Sequence, residues 1–368
     1  MTPNAIKEFL SSKPILRPVY LVLRWLKQSS QNLCRSVKAH VKTVWFLFRH
    51  VLPLMIRSGT RPVVFIRYMA LGDIICTFPA AKELEKRHPK AAFLFFCRQD
   101  FACLPRLGGI TTHVVWPPHI DLIETRYSFL FSAIYKFTYS DERENTASTE
   151  SVIEEYCRQH GVSITDAHPV LQIDSRALSK VKAILESNGF KHGAPIILIH
   201  TGPSGAFREW ANESWVGLVR ELREHGLSQV IQIGSSKRGD LKVVPGISIP
   251  NTLCLVDKLT LEETMALISL GGIFIGIDSG LLHIATSVRT PSIGIFGSTS
   301  PQFRFSRAIA DSFVVSDVDC QGCHHRVPRL HWVTNCPFDL KCMKSIQVKD
   351  VLQACLARIA RVSEPDLV

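Results

Sequence analysis

Three short stretches hold residue types that do chemistry. "PVVFIRYMALGDIICTFPAAKEL", residues 62 to 84, leaves an apolar strand, turns at Gly72-Asp73 and places Ile74 and Ile75 directly after the carboxylate. A decorative surface acid needs no such neighbours. A reactive one is tuned by them, because burial raises a carboxyl pKa while a helix start lowers it. The alternative is that Asp73 only caps the helix that follows. In "IDSGLLHIAT" an acid and a serine open a helix, which leaves the amides of Ser279, Gly280 and Leu281 unpaired and suited to a phosphate. Gly280 lets an anion approach the backbone closely, and His283, one turn in, is placed to donate to it. Against this, Asp278 and Ser279 are ordinary caps and His283 an ordinary packed ring. "HTGPSGAFREW" opens with Thr201-Gly202 and puts Arg208 two residues before Trp210, where a planar guanidinium offers a fork to a diphosphate. Standing alone it reads more readily as a surface cation than as a ligand. No acidic pair or Asp-x-Asp suggests a catalytic Mg²⁺, so the helix amides and Arg208 would have to neutralise a leaving group.

A further constellation, "CQGCHHRVPRLHWVTNCPFDLKCM", spaces Cys320, Cys323, Cys336 and Cys342 as Cys-x2-Cys-x12-Cys-x5-Cys. That spacing suits a closed four-thiolate knuckle with a structural zinc or iron, with His324, His325 and His331 in reserve. Free thiols or a disulfide are the alternative.

These residues sit at strand ends. From Pro62 onward strand-like runs (Val63–Arg67, Ala92–Cys97, His113–Trp116) alternate with helical patterns such as Ala80–Arg87, the signature of a parallel sheet with crossovers. Residues 118–190 are less regular and predict loops and helices, including "VIEEYCRQH". A second cycle starts after Gly193 and runs strand–helix through "PIILIHTG", "NESWVGLVRELREHG", "QVIQIGSS", "TLEETMALISLG", "IFIGIDSG", "LLHIATSV" and "SIGIFGS", before a last helix from Val348 to Arg361. The expectation is an α/β chain of two Rossmann-like domains, 62–190 and 191–345, facing a central cleft. The segment 346–368 follows as a helix and tail. Ligands of such sheets bind at the carboxyl ends of the strands.

The 368 residues carry a formal net charge of +11, and it is unevenly placed. Residues 1–61 hold eleven lysines and arginines against the single acid Glu8, so the body of the protein is close to neutral and needs no anionic polymer as partner. The basic segment is helical and amphipathic in pattern, with Val19-Tyr20, Leu23 and Leu26, then Val41, Val44-Trp45, Phe48 and Val51-Leu52 between cations. Its aromatics (Trp25, Trp45, Phe46, Phe48) suit an interfacial helix on anionic lipid; an extra packed layer or a nucleic-acid arm are the alternatives. The run Val44–Ile56 is broken by Arg49-His50 and Pro53 and is too short to span a bilayer. The first residues lack a signal-peptide pattern. Most of the eleven cysteines stand singly in apolar runs, as in a reducing compartment. A cytoplasmic location follows.

Taken together, residues 62 to 355 resemble glycosyltransferase family nine, the heptosyltransferase family. "IRYMALGDIICTFPAAKEL" is similar to its N-terminal motif, "IHTGPSGAFREWANESW" to its donor-side loop, and "FIGIDSGLLHIATSVRTPSIGIFGSTSP" to its most specific stretch. The Cys-x-x-Cys near the C-terminus also recurs in members. The resemblance implies a GT-B fold with acceptor on the first domain and nucleotide sugar on the second. It implies inverting transfer, without a catalytic metal, of a sugar, usually heptose from ADP-heptose, to lipopolysaccharide inner core. Asp73 is then the general base for the acceptor hydroxyl. Thr201, Gly202, Arg208 and the Ser279–Leu281 amides hold the diphosphate, with Asp278 and His283 shaping that pocket. The role requires Asp73 to face the cradle and not to be buried in a salt bridge.

Two departures bear on the donor. Arg208 replaces the family's lysine, and "GSSKRGD" supplies Lys237 and Arg238 where many members carry an acid, with Asp240 the nearest one. The expected enzyme works peripherally at the inner face of the cytoplasmic membrane on a lipid-linked saccharide, with residues 1–60 against anionic lipid. Autotransporter-type protein heptosyltransferases with a cysteine-bound iron share the knuckle, so a protein acceptor stands as the alternative. So do a GT-B-like nucleotide-sugar epimerase and a non-catalytic binding module.

Overall fold

The computed structural model describes residues 35–68, 70–138, 150–164, 168–191, 193–202, 206–236, 248–305, 313–326 and 336–363. The chain forms two compact units. Among the described residues the smaller comprises 35–63, 90–92 and 116–134, and the larger takes the rest.

In the smaller unit a helix over 35–46 passes through a π-turn, Leu47–Val51, into the helix Leu52–Ser58. The sequence pattern breaks at Pro53, and the π-turn is how the chain crosses that break. Proline has no N–H for the preceding turn and its ring crowds the carbonyl there. The turn widens, and Leu52 N–H donates to Leu47 O. Gly59 ends the helix in the left-handed region, φ 65°, its N–H bonded to Met55 O. The amphipathic pattern expected at Val19–Leu26 lies outside the described residues.

Strands β1 (Val63–Ile66), β2 (Phe93–Phe96), β3 (His113–Val115) and β4 (Ala133–Lys136) form a sheet in the order β3-β2-β1-β4, with β2 and β3 parallel. β1 and β2 are buried along their whole length, as strands covered on both faces must be. The irregular stretch after residue 118 supplies β4 and the helices Ile120–Arg126, Val152–Gln159 and Ser175–Ser187. Of these, Val152–Gln159 starts with a complete capping box, Ser151 with Glu154.

The second sheet contains β5 (Ile197–His200), β6 (Val230–Gln232), β7 (Leu253–Cys254), β8 (Ile273–Ile277), β9 (Ser292–Phe296) and β10 (Phe313–Val315). All pairs are parallel in the order β10-β9-β8-β5-β6-β7. In order of appearance this is the doubly wound 3-2-1-4-5-6 arrangement, whose switch point falls between β5 and β8. Trp210 and Trp215 meet edge to face at 5.1 Å in its core, and Trp210 Nε1 donates to Ile346 O at 3.0 Å. That bond sits beside the helix Val348–Ser363, which buries Val351 and Cys355 in the same core.

Within the larger unit the helix Leu71–Cys76 lies directly on the helix Gly280–Ser287. One glycine from each makes this approach possible. A Cβ on Gly280 would meet Leu71 Cδ2 at 2.8 Å, and one on Gly72 would run into the His283 ring. Gly72→Ala is therefore expected to cost about 1–3 kcal/mol by overpacking, read as a melting temperature lowered by several degrees with the secondary structure unchanged.

Candidate active site

β1 runs into Arg67, and the chain then turns through Ala70, at φ 65°, into the helix Leu71–Cys76. Asp73 stands inside the first turn of that helix rather than at its cap, which is Ala70. Its side chain is 12% exposed and ion-paired with Arg67. The pair is tightly built, because Arg67 also donates to Phe137 O at 3.1 Å and spreads its guanidinium over the Tyr156 ring at 5.7 Å. The sequence reading required an acid outside a burying salt bridge, and that requirement is not met. The requirement that it face the cradle fares better, through a residue that reading passed over. Arg304 Nη1 lies 4.0 Å from Asp73 Oδ1, while Arg304 Nε lies 3.6 Å from Asp278 Oδ2.

Asp278 follows β8 and is 3% exposed. Arg208 Nη1 approaches its Oδ2 at 3.3 Å and its main-chain oxygen at 3.4 Å. Burial alone would raise the Asp278 pKa, but the Arg304 and Arg208 charges and His283 overcome it and hold the acid far below the carboxylate range. Three guanidiniums thus confront two carboxylates across Arg67–Asp73–Arg304–Asp278–Arg208. The cluster lies at the switch point, where these folds take ligands.

The remaining donor-side residues divide. Ser279 opens the helix Gly280–Ser287 in an extended conformation, and its hydroxyl makes no cap bond. Its Oγ is shielded and has no hydrogen-bond partner among the described residues. Leu281 is half-buried at the same helix start, where first-turn N–H groups have no intrahelical acceptor. At the end of β5, Thr201 accepts from Gln232 Nε2 at 3.2 Å, and Gly202 turns at φ 113° beside it. Arg208 is braced from behind, its guanidinium 5.5 Å over Phe207, which stacks on His324 at 5.2 Å.

Gly280 and His283 are placed differently from expectation. Gly280 makes room for Leu71. His283 is buried in the helix contact, with Nδ1 3.6 Å from Cys76 Sγ and its ring stacked 4.3 Å from Phe305. The helix pairing takes up the Cα face of Gly280 and the His283 ring, which sequence reading had turned towards an anion. Burial drives the His283 pKa down to about 4, with Asp278 opposing, so the ring is neutral near pH 7.

His200 is likewise held at about 4 by burial, against its bond to Ile233 O. For both rings the unfolded chain binds more protons between pH 6.5 and 4, so stability rises with pH across that window. It is complete above 6.5 and lost as pH falls towards 4, by on the order of 2–3 kcal/mol for each ring. A melting temperature that declines steeply from pH 6.5 to 4, and less steeply in His283→Gln, is the expected readout.

The four cysteines come to one place. Cys323 and Cys342 are buried, Cys320 and Cys336 half-buried. The Cys-x-x-Cys turn is tied to the end of β9 by Gly322 N–H to Gly297 O, 3.0 Å, and His324 N–H to Ser298 O, 2.9 Å. Burial, then Cys320, Cys323 and Cys336 beside it, push the Cys342 thiol up to about 11. Yet among the described residues no three His, Cys, Asp or Glu side chains converge closely enough to hold a metal ion. His324, held in reserve as a ligand, stacks on Phe207 instead. His331, Lys237, Arg238 and Asp240 lie outside the described residues.

Arg67 and Arg304 are the site residues that sequence reasoning missed. Each is a lone cation without motif spacing. The only local signal was position, Arg67 at the foot of an apolar strand and Arg304 shortly after the "FGSTSP" turn.

The fold is a pair of doubly wound sheets, and comparison with known proteins gives the class. The profile of glycosyltransferase family 9 (heptosyltransferase) matches residues 124–332, and the chain belongs to that family. It is 32% identical over 115 residues to lipopolysaccharide heptosyltransferase 3 of Escherichia coli, a stretch covering 30% of this chain and 34% of the relative. The match thus spans about a third of that relative. The fold agrees with that of a family 9 glycosyltransferase from Veillonella parvula, at TM-score 0.62 and 14% identity, over 82% of this chain and 97% of the other. It agrees equally, at TM-score 0.62 and 19% identity over 83% and 79%, with the dodecameric iron-containing heptosyltransferase TibC of enterotoxigenic E. coli, solved with ADP-D-β-D-heptose. The architecture is GT-B. Among the described residues no helix is long and apolar enough to cross a membrane.

Proposed function

We propose that this protein transfers a heptosyl group, with inversion, from a nucleotide-heptose to a saccharide of lipopolysaccharide-core type or a related lipid-linked acceptor. ADP-heptose is the first donor to test, since it is the ligand of TibC. The observation that carries the reading is Arg304, which reaches the first-sheet acid Asp73 and the second-sheet acid Asp278 at once. An acid able to take a proton and a cradle able to take a diphosphate are then within one side chain of each other.

In this mechanism Asp73 removes the proton from the acceptor hydroxyl, and that oxygen attacks the anomeric carbon opposite the leaving group. The bond from that carbon to the diphosphate oxygen breaks, and its electron pair leaves with the nucleoside diphosphate. Arg208, Arg304 and the amides of Ser279, Gly280 and Leu281 stabilise the departing charge, with Thr201, Gly202 and Asp278 shaping the pocket. Arg67 orients the base, and the ion pair between them must open as the acceptor binds for Asp73 to take the proton. A diphosphate that engages Arg304 draws that charge away from Asp73, so donor binding readies the acid for proton transfer. His283 serves the helix contact, not the phosphate.

The reading includes a peripheral position at the inner face of the cytoplasmic membrane, supported by the basic residues 1–60. It also includes a structural zinc or iron at Cys320, Cys323, Cys336 and Cys342, supported by their gathering around Cys342. Metal analysis of the purified chain tests the latter, about one equivalent supporting it and none removing it. The function is tested by ADP release from ADP-heptose with a truncated, soluble core oligosaccharide, and by the anomeric configuration of the product. Inverted product supports the reading. Donor turnover without acceptor would instead indicate an epimerase, and transfer to a polypeptide alone a protein-modifying enzyme.

A further inference from the structure

The helix over 35–58 has more apolar surface than its own unit uses. Phe46, Leu47, Val51 and Leu54 are buried and supply the packing face. A second apolar face points away from them: Val41, Val44, Trp45, Phe48, Leu52 and Ile56 are exposed, Trp45 at 60%, Phe48 at 67% and Ile56 at 73%. Their spacing of three or four residues keeps them on one side before the π-turn. The extra residue in that turn offsets the drift a straight α-helix would accumulate, which keeps Leu52 and Ile56 in line with Phe48. A run of large apolar side chains exposed along one helix is not the scattered surface hydrophobicity of an ordinary globular protein.

The charges beside that face select the occupant. Arg35, Lys38, Lys42, Arg49 and Arg57 lie on this helix, and no acidic residue occurs between Glu8 and Asp73. Arg49 sits 5.2 Å over the Trp45 ring, pairing a cation with an aromatic at the edge of the apolar face. Deep apolar residues with cations at their rim match the two layers of an anionic bilayer surface, acyl boundary and phosphate headgroups. A nucleic acid would use the cations but leave the valines, Phe48 and Ile56 in water.

We propose that the outward face of helix 35–58 is a membrane-docking surface, with Trp45, Phe48 and Ile56 entering the headgroup boundary of an anionic bilayer. This deepens the peripheral placement proposed above by assigning it to particular residues. It does not depend on the catalytic assignment.

The test is flotation of the full chain with vesicles of phosphatidylcholine alone and of phosphatidylcholine with about 30% phosphatidylglycerol. The expected result is binding to the anionic vesicles at least tenfold above the neutral ones. A triple variant, Trp45→Ser with Phe48→Ser and Ile56→Ser, is expected to lose at least tenfold of that binding while keeping the wild-type melting temperature and activity on the soluble oligosaccharide. Lys38→Glu with Lys42→Glu should abolish the preference for anionic lipid. Equal flotation of the triple variant and wild type would overturn the proposal. So would an absence of vesicle binding, whether the wild type then proved to be a dimer broken by the triple variant or a salt-sensitive binder of nucleic acid. Activity is read on a soluble acceptor and docking without one, so either can fail alone.

Discussion

Asp73→Asn is expected to lower heptosyl transfer by on the order of 10²–10⁴, the range a positioned general base contributes. The substitution keeps the shape and the helix turn but removes the acceptor of the hydroxyl proton. It also leaves Arg67 without its charge partner, so stability must be measured beside activity. Arg67 retains Phe137 O and the Tyr156 ring, and Arg304 retains Asp278, so the variant should stay folded with a modestly lower melting temperature. ADP should bind it about as well as the wild type, because the proposed phosphate partners are Arg208, Arg304 and the helix amides. A loss in kcat with the donor KM preserved identifies a base; a loss confined to KM identifies a binding residue. Wild-type turnover by Asp73→Asn would leave the acid with only its structural pairing to Arg67.

Asp278→Ala is expected to have the largest effect on stability, about 3–5 kcal/mol, because it removes the buried carboxylate that Arg208 and Arg304 share. For a chain of this size that lowers the melting temperature by on the order of 10 °C. The pH dependence has a defined sign. The Asp278 pKa is depressed in the folded protein, so its contribution is present above the unfolded carboxylate pKa and is lost as pH falls below it, a loss the variant should no longer show. ADP should raise the melting temperature of this variant by more than that of the wild type, since a phosphate supplies the negative charge the arginines have lost. A variant that melts like the wild type would mean that the Arg208–Asp278–Arg304 arrangement contributes little.

Much of this architecture could be read from the chain. Apolar runs such as "VVFI" and "IFIGI" are buried on both faces, so their patterns survive folding intact. Asp278 and Ser279 directly follow such a run and Asp73 stands at the turn beyond another, which is what marks them as candidates. What escaped depended on distant partners. Nothing local to "SPQFRF" indicates that Arg304 meets acids more than 200 and nearly 30 residues earlier. Gly280 and His283 lie in a motif that reads as a phosphate site, yet part of that motif serves a helix contact fixed by Leu71, Gly72 and Cys76. The helix continues past Pro53 through a π-turn, with Leu47, Val51 and Leu54 buried on either side of it, a geometry that no local pattern encodes. Cysteine spacing foretold the gathering of Cys320, Cys323 and Cys336 around Cys342.

The central claim is that one acid from the first sheet and an arginine-lined phosphate cradle from the second form a single reaction centre. Crystals of the full chain with ADP test it most directly. The account predicts the terminal phosphate against Arg208, Arg304 and the amides of Ser279–Leu281, with the Asp73 carboxylate turned towards the position the sugar would fill. A phosphate seated away from both arginines, with Asp73 still joined to Arg304, would contradict it.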